Sequence, residues 1–154
     1  MQKRIKTLLF IFIFVLIFSK ISGNEPNTNA QQDYLKDIQY INKIKFQDLV
    51  LPLCLQHNFV KEGTSVEDAS NILIKLFPPL KKISQKSYLH YDDIALICMQ
   101  IYNLEGGFFY SITHSKHYSF RELQYKNLIS QDIDPMKKIS GKAVYELFSQ
   151  LSQQ

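Results

Sequence analysis

The sequence predicts a mainly α-helical protein with a single small domain of about four to six helices. Apolar residues recur three and four positions apart in several segments, which is the period of an amphipathic helix. Serine and threonine patterns typical of helix starts precede two of these segments. The alternation expected of a strand appears only briefly, at residues 108–112. About 131 residues follow the N-terminal leader described below, enough for one core and too few for two ordinary domains.

Two helices are expected in the first half of the domain. Residues 46–57 form the first, although Pro52 leaves its start uncertain, and Leu49, Val50, Leu53 and Cys54 supply its apolar face. The second follows residues 64–67, Thr-Ser-Val-Glu, whose spacing is that of a capping box. Pro78-Pro79 ends it, because proline disfavours helix in the residue before it. Its apolar stripe consists of Ala69, Ile72, Leu73, Leu76 and Phe77.

Three further helices are expected in the second half. The first covers residues 91–103, with Asp92 and Asp93 at the positive end of its dipole, and Gly106-Gly107 ends this segment. The next begins with a second capping box at residues 119–122 and runs to about residue 129. The last begins at Ser140, and its inward face consists of Ala143, Val144, Leu147, Phe148 and Leu151.

The N-terminus has the layout of a cleavable signal peptide. Three basic residues at positions 3, 4 and 6 precede an apolar run of 11 residues, 8–18, and a small polar stretch follows. A helix of that length spans about 16 Å, roughly half of a bilayer core, which argues against a spanning anchor. We expect cleavage after Gly23, an exported domain at 41–154 and a flexible lead-in at 24–40. Ile21 is large for its place before the cut, so an uncleaved, membrane-tethered form is the alternative.

Removing residues 1–23 also changes the charge balance. Four of the 18 basic residues leave with the leader, and 14 basic residues then face 14 acidic ones. This balance, without a long basic run, gives no field for holding a phosphate backbone. We therefore expect no nucleic-acid partner, a periplasmic or secreted location, and membrane contact only through an uncleaved signal segment.

Two cysteines, Cys54 and Cys98, leave two alternatives open. Export would bring both into an oxidising compartment, where they can form one disulfide. Each also stands between apolar neighbours, as a buried free cysteine does.

Residues 104–118 contain the most unusual composition in the chain. The glycine pair permits positive φ and close backbone approach, so it most simply ends one helix and turns the chain. Three consecutive aromatic residues follow, Phe108, Phe109 and Tyr110. They cannot all be exposed without forming a patch, so some should cover the core. The alternative is that one or two of them line a groove for a ligand or a partner.

We expect no metal, no cofactor and no catalytic site. His114 and His117 are three apart, but zinc requires three or four ligands, and His57 and His90 are distant in sequence. The chain has no Gly-x-Ser-x-Gly elbow and no glycine-rich phosphate loop. The paired acids stand in the first turns of helices, where they act as dipole partners. A small hydrolase stays open as an alternative, since sequence does not give the distance between two carboxylates.

Residues 117–151 resemble a repeat of the S-layer homology (SLH) family. Tyr118 and Phe120 match the aromatic start of its first helix, and Leu128-Ile129 match the end of that helix. Asp134-Pro135 match its proline-containing loop, and Ile139-Ser140 the beginning of its second-helix motif. The lysine-, isoleucine- and asparagine-rich composition is also similar to that of small exported envelope proteins of spirochaetes.

The resemblance implies helix-loop-helix units and a module that docks on cell-wall polymers. In that family an arginine of the motif helps to bind acidic groups of the glycan, but Gly141 stands at its position here and Lys142 is shifted by one residue. The resemblance therefore supports a fold more than glycan binding. The contact candidates that it suggests are Lys137, Lys138, Lys142 and Tyr118.

Two functions follow as expectations. The first is a non-catalytic exported envelope module that binds the cell wall (peptidoglycan). The second is a protein–protein adaptor of a periplasmic or flagellar assembly, anchored by the aromatic residues 108–110.

Overall fold

The fold is mainly α-helical, as predicted. The computed structural model describes residues 35–153, so the predicted signal peptide lies outside the described residues. Five of its helices have ten or eleven residues, and two shorter ones were not predicted. A 3-10 turn at Pro78–Leu80 precedes the first short helix. After a short helical stretch at residues 35–38, the α-helices in chain order are α1 Phe46–Gln56, α2 Val66–Leu76, α3 Lys81–Ser84, α4 Tyr91–Ile101, α5 Phe108–Thr113, α6 Lys116–Tyr125 and α7 Gly141–Leu151.

The central element is α4, which is buried along nearly its whole length. Nine of its eleven residues are buried, including both acidic residues of the first turn, Asp92 and Asp93. It packs against α6, whereas α1 packs against α2. Burial of apolar surface from all of the long helices makes one continuous core.

Three long helices begin at a common junction. Ile44, Leu89 and Ile139 lie two residues before α1, α4 and α7, and all three side chains are buried. Their main chains are joined in a ring: Leu89 N donates to Ile44 O, Ile139 N to Leu89 O, and Ile44 N to Ile139 O. Hydrogen bonds between segments this far apart in sequence fix where the three helices start.

Two predicted helix starts were wrong by one and by four residues. The cap of α2 is Ser65 rather than Thr64, and its side chain accepts from the N–H of Asp68. The cap of α6 is Ser115, so Ser119 is not a cap but a buried residue whose hydroxyl donates to Ser115 O. In both helices the serine that lies one residue before the first turn satisfies an N–H that has no intrahelical partner.

The glycine pair does not end a helix. α4 ends at Ile101, and Asn103 rather than a glycine has positive φ in the connection. Gly107 is the cap residue of α5, so residues 108–112 form a helix and not the brief strand that their alternation suggested. Gly106 is required for close approach, since a Cβ there would lie 2.4 Å from the Tyr110 ring.

Other expectations about the core also change. On α2, Ala69 and Leu73 are buried, but Ile72 and Leu76 are exposed and do not belong to the apolar stripe. Leu35 and Ile38 are buried and residues 35–38 are helical, so the packed domain begins inside the predicted lead-in.

Among residues 35–153, none of the helices has the length and the apolar composition that a membrane span requires.

Candidate functional site

The aromatic residues after the glycine pair divide between surface and core. Tyr110 is buried, and its hydroxyl accepts from the side-chain amide of Gln100. Phe108 and Phe109 are 73% and 61% exposed, and Ile112 on the same short helix is 64% exposed. Of the three aromatic residues at 108–110, two are therefore exposed, and the third belongs to the core.

Ring contacts join the exposed residues of α5 to Tyr118 of α6, which is half-buried and packs against the core. Phe109 stacks on Tyr118, with centroids 5.4 Å apart and planes at 14°, and Phe108 meets Phe109 edge-on at 5.7 Å. We call Phe108, Phe109, Ile112 and Tyr118 the aromatic surface. Single exposed apolar residues are common on ordinary protein surfaces. A contiguous group of them is instead typical of an interaction site. Tyr118 was predicted as a contact to the cell wall, and Ile112 was not predicted as a contact.

The three lysines predicted as contacts lie outside α6, the helix that contains Tyr118. Lys142 is exposed on α7, with its Nζ 4.0 Å from Glu146 Oε1. Lys138 instead lies over the Tyr88 ring at 5.2 Å, and Lys137 is exposed beside it in the chain.

Two further lysines approach the same tyrosine. Lys43 and Lys45 have their Nζ atoms 5.8 and 5.9 Å from the Tyr88 centroid. We call Lys43, Lys45 and Lys138 the lysine triad. Within the described part of the chain, none of the three forms an ion pair with a carboxylate. No sequence pattern indicates this triad, because Lys138 is far from Lys43 and Lys45 in the chain and approaches them only at the helix junction.

A buried group of charges lies at the start of α4. Asp93 is fully buried, and both of its carboxylate oxygens accept from Lys86 Nζ, at 2.6 and 2.8 Å. Lys116 Nζ lies 2.7 Å from Asp92 Oδ2 and 3.1 Å from Asp93 Oδ1. We call Lys86, Asp92, Asp93 and Lys116 the ion-pair cluster. Asp93 also accepts from the His90 N–H, which is the N-cap backbone donor of α4.

The pKa values in this cluster follow from its pairing. Burial acts to raise the pKa of Asp93, but the hydrogen bonds from Lys86, the His90 N–H and Lys116 outweigh it and lower the pKa. For Lys116, burial acts to lower the pKa, and the hydrogen bonds to the two carboxylates raise it above the ordinary lysine value. Both groups are therefore held in their charged forms near neutral pH.

The same cluster contains donor atoms of the types that bind metals. Ligand atoms of His90, Asp92 and Asp93 lie within 4.8 Å of one another. A metal there would have to displace the ammonium groups of Lys86 and Lys116 from the two carboxylates. The two lysines already supply the positive charge that a cation would bring to this position.

The paired histidines after α5 lie on two elements. His114 is the left-handed C-cap of α5, with φ of 44°, and its ring meets Tyr110 edge-on at 5.2 Å. His117 lies in the first turn of α6, where its ring meets Tyr118 edge-on at 5.3 Å. Each ring therefore packs against a neighbouring tyrosine.

Of the two cysteine alternatives, the structure has the buried free thiols and not the disulfide. The Cys54 sulfur lies 3.6 Å from Ala69 O, on the side of α1 that packs against α2, and donates to that carbonyl. Burial raises the pKa of Cys54 to about 11, and burial raises the pKa of Cys98 as well. Both thiols are thus protonated near neutral pH and pack as small apolar groups.

Comparison with known proteins adds no assignment. No family model, no curated protein and no solved structure matches this chain.

Proposed function

We propose that this chain is a non-catalytic exported module that binds a partner protein of the cell envelope through the aromatic surface. The observation that carries this proposal is the exposure of Phe108, Phe109 and Ile112 on one six-residue helix. Export, and with it a periplasmic or secreted location, is supported by the signal-peptide pattern at the N-terminus.

A protein partner fits the chemistry of this surface. Aromatic side chains dominate the energetic centres of protein interfaces, where they enter apolar pockets of the partner. Phe109 already has its ring stacked on Tyr118, which reduces the rotamer entropy lost when a partner binds. A short helix that presents two phenylalanines is therefore suited to insertion into an apolar groove.

The non-catalytic part of the proposal is supported by the ion-pair cluster. Asp92 and Asp93 are adjacent carboxylates of the kind that hydrolases use, yet both are buried and both pair with lysines. The two buried thiols are protonated, so they are poor nucleophiles. A hydrolase remains a weaker alternative for this reason.

The test begins with a photoreactive amino acid at Ile112 in cells that export the protein. A crosslinked partner is identified by mass spectrometry, purified, and titrated with the exported protein by calorimetry. We expect Phe109→Asp to weaken this binding by a factor of about 30 or more, the effect typical of a central aromatic anchor.

The matched control is Tyr125→Asp, because Tyr125 is an aromatic residue 83% exposed on α6 outside the aromatic surface. It should bind as the wild type does. Circular dichroism should show both variants folded, since both side chains are exposed. Equal binding by Phe109→Asp and the wild type would contradict the proposal, and unfolding of Phe109→Asp would show that the ring supports the core instead.

A second candidate function is binding to an acidic cell-wall polymer. The lysine triad favours it, because three ammonium groups that form no ion pair within the described residues converge around the Tyr88 ring. Such a site attracts carboxylates and phosphates of a polymer, and the attraction decreases with salt.

Co-sedimentation with isolated cell-wall sacculi tests this second function. Lys138→Glu should reduce the bound fraction severalfold, and 0.5 M salt should do the same. Lys142→Glu is the matched control, because Lys142 faces Glu146 on α7 and not Tyr88. No pelleting above that of a control protein, or equal losses in the two variants, would exclude the triad as the binding site.

A further inference from the structure

A cavity beside the ion-pair cluster has the composition of a binding site. It lies between the segment Pro78–Lys82, α4 and residues 114–116, with a volume of about 460 Å³. Its apolar walls are formed by Pro78, Pro79, Ile83 and Leu96. This size lies within the range of small-molecule sites, which are also mostly apolar with a few placed polar groups.

The polar end of the cavity is built from two fixed ammonium groups. Lys86 and Lys116 both line it, together with the buried Asp93 that holds them. An ammonium group has three N–H donors, and each of these lysines directs two toward carboxylate oxygens of Asp92 or Asp93. One donor of each lysine is left for a ligand, and the buried carboxylates hold both nitrogens in place.

The charge around the cavity favours an anion. Within the ion-pair cluster two lysines balance two aspartates, so the cluster itself is neutral. Lys81 and Lys82 also line the cavity, are exposed, and form no ion pair within the described residues. These two lysines give the cavity a net positive charge.

We propose that this cavity binds a small amphipathic carboxylate of the fatty-acid class. The alkyl chain would pack against Pro78, Pro79 and Leu96. The carboxylate would accept hydrogen bonds from the free donors of Lys86 and Lys116, and Lys81 and Lys82 would contribute longer-range attraction. The site shares no residue with the aromatic surface, so it does not depend on the proposed partner.

Calorimetric titration of the exported protein with decanoate tests this proposal. We expect one site with a Kd of about 1 mM or tighter. Decyltrimethylammonium has the same chain with the opposite charge and should bind at least tenfold more weakly. Acetate, which lacks the chain, should not bind measurably.

The variant that tests the charge is Lys81→Glu/Lys82→Glu, whose side chains are exposed and whose fold should be unaffected. It should bind decanoate about tenfold more weakly, whereas Lys126→Glu, an exposed lysine outside the cavity, should bind as the wild type does. Amide NMR shifts caused by decanoate should concentrate at residues 81–83 and 114–116. Absence of decanoate binding, equal binding of the cationic analogue, an unaffected double variant, or shifts elsewhere would each overturn the proposal.

Discussion

At the scale of single residues, Gly141 shows how closely two segments of the domain approach each other. A Cβ added there would lie 1.7 Å from Ile38 O and 3.0 Å from Ile41 O. The Gly141 N–H donates to Ile41 O at 2.7 Å, so the first turn of α7 rests directly on the backbone of residues 38–41. This packing leaves no space for a side chain at this position.

Gly141→Ala should therefore destabilise the protein by about 2–3 kcal/mol, the upper range for an inserted group that forces a backbone shift. Gly107→Ala is the matched control, because its added Cβ would meet only the carboxylate end of Glu122 at 2.8 Å. It should cost less than about 1 kcal/mol. Urea unfolding of both variants measures the difference. A Gly141→Ala protein as stable as the wild type would mean that residues 38–41 do not pack against α7.

At the scale of elements, the local sequence pattern predicted the long helices. The features that it did not predict depend on tertiary contacts. The apolar period identified all five long helices, because each has to bury one face. The start of α6 was misplaced because Ser119 has the residue spacing of a cap but lies in the core, where Ser115 takes that role. α5 was missed because six residues are too few to show a helical period.

The candidate site was predicted in part for the same reason. Some of the aromatic residues 108–110 were expected to cover the core, and the phase of the short helix decides that Tyr110 is the buried one. The ion-pair cluster was not predicted, because Lys116 is 24 residues from Asp92 in sequence. The sequence shows which helix each charged residue belongs to. Only the packing of α4 against α6 brings Lys116 and Asp92 together.

The cap of α2 offers a test at this scale, since sequence and structure assign it to adjacent residues. Ser65 Oγ accepts from the Asp68 N–H at 3.0 Å and donates to the Asp68 carboxylate at 2.8 Å. Ser65→Ala should cost about 1 kcal/mol of unfolding free energy. Thr64→Ala removes only an exposed bond to Lys61 O and should cost less than about 0.5 kcal/mol. A larger loss of unfolding free energy in Thr64→Ala than in Ser65→Ala would show that Thr64 is the cap residue.

At the scale of the whole molecule, the described domain is held together by a polar link as well as by its apolar core. The ion-pair cluster joins the segment before α4, the first turn of α4 and the first turn of α6. The main-chain ring of Ile44, Leu89 and Ile139 lies just before the same end of α4. Both contacts fix the region where distant parts of the chain converge, so we expect it to unfold only with the entire domain.

Asp93→Asn should destabilise the protein by about 3–5 kcal/mol at pH 7, because it leaves Lys86 without its carboxylate partner in a partly buried place. The pKa of Asp93 is lowered in the folded state, so its stabilising contribution is complete above the ordinary aspartate pKa of about 4 and is lost as the pH falls through the lowered value. The difference between wild type and variant should therefore be constant from pH 7 to about 5 and narrow below about 4. Urea unfolding between pH 3 and 7 measures this difference.

Glu146→Gln is the matched control, since its exposed pair with Lys142 at 4.0 Å should contribute less than about 0.5 kcal/mol at any of these pH values. If Asp93→Asn lost as much unfolding free energy at pH 3 as at pH 7, the loss would come from packing. Protonation of Asp93 in the wild type would then have removed no stabilising charge interaction.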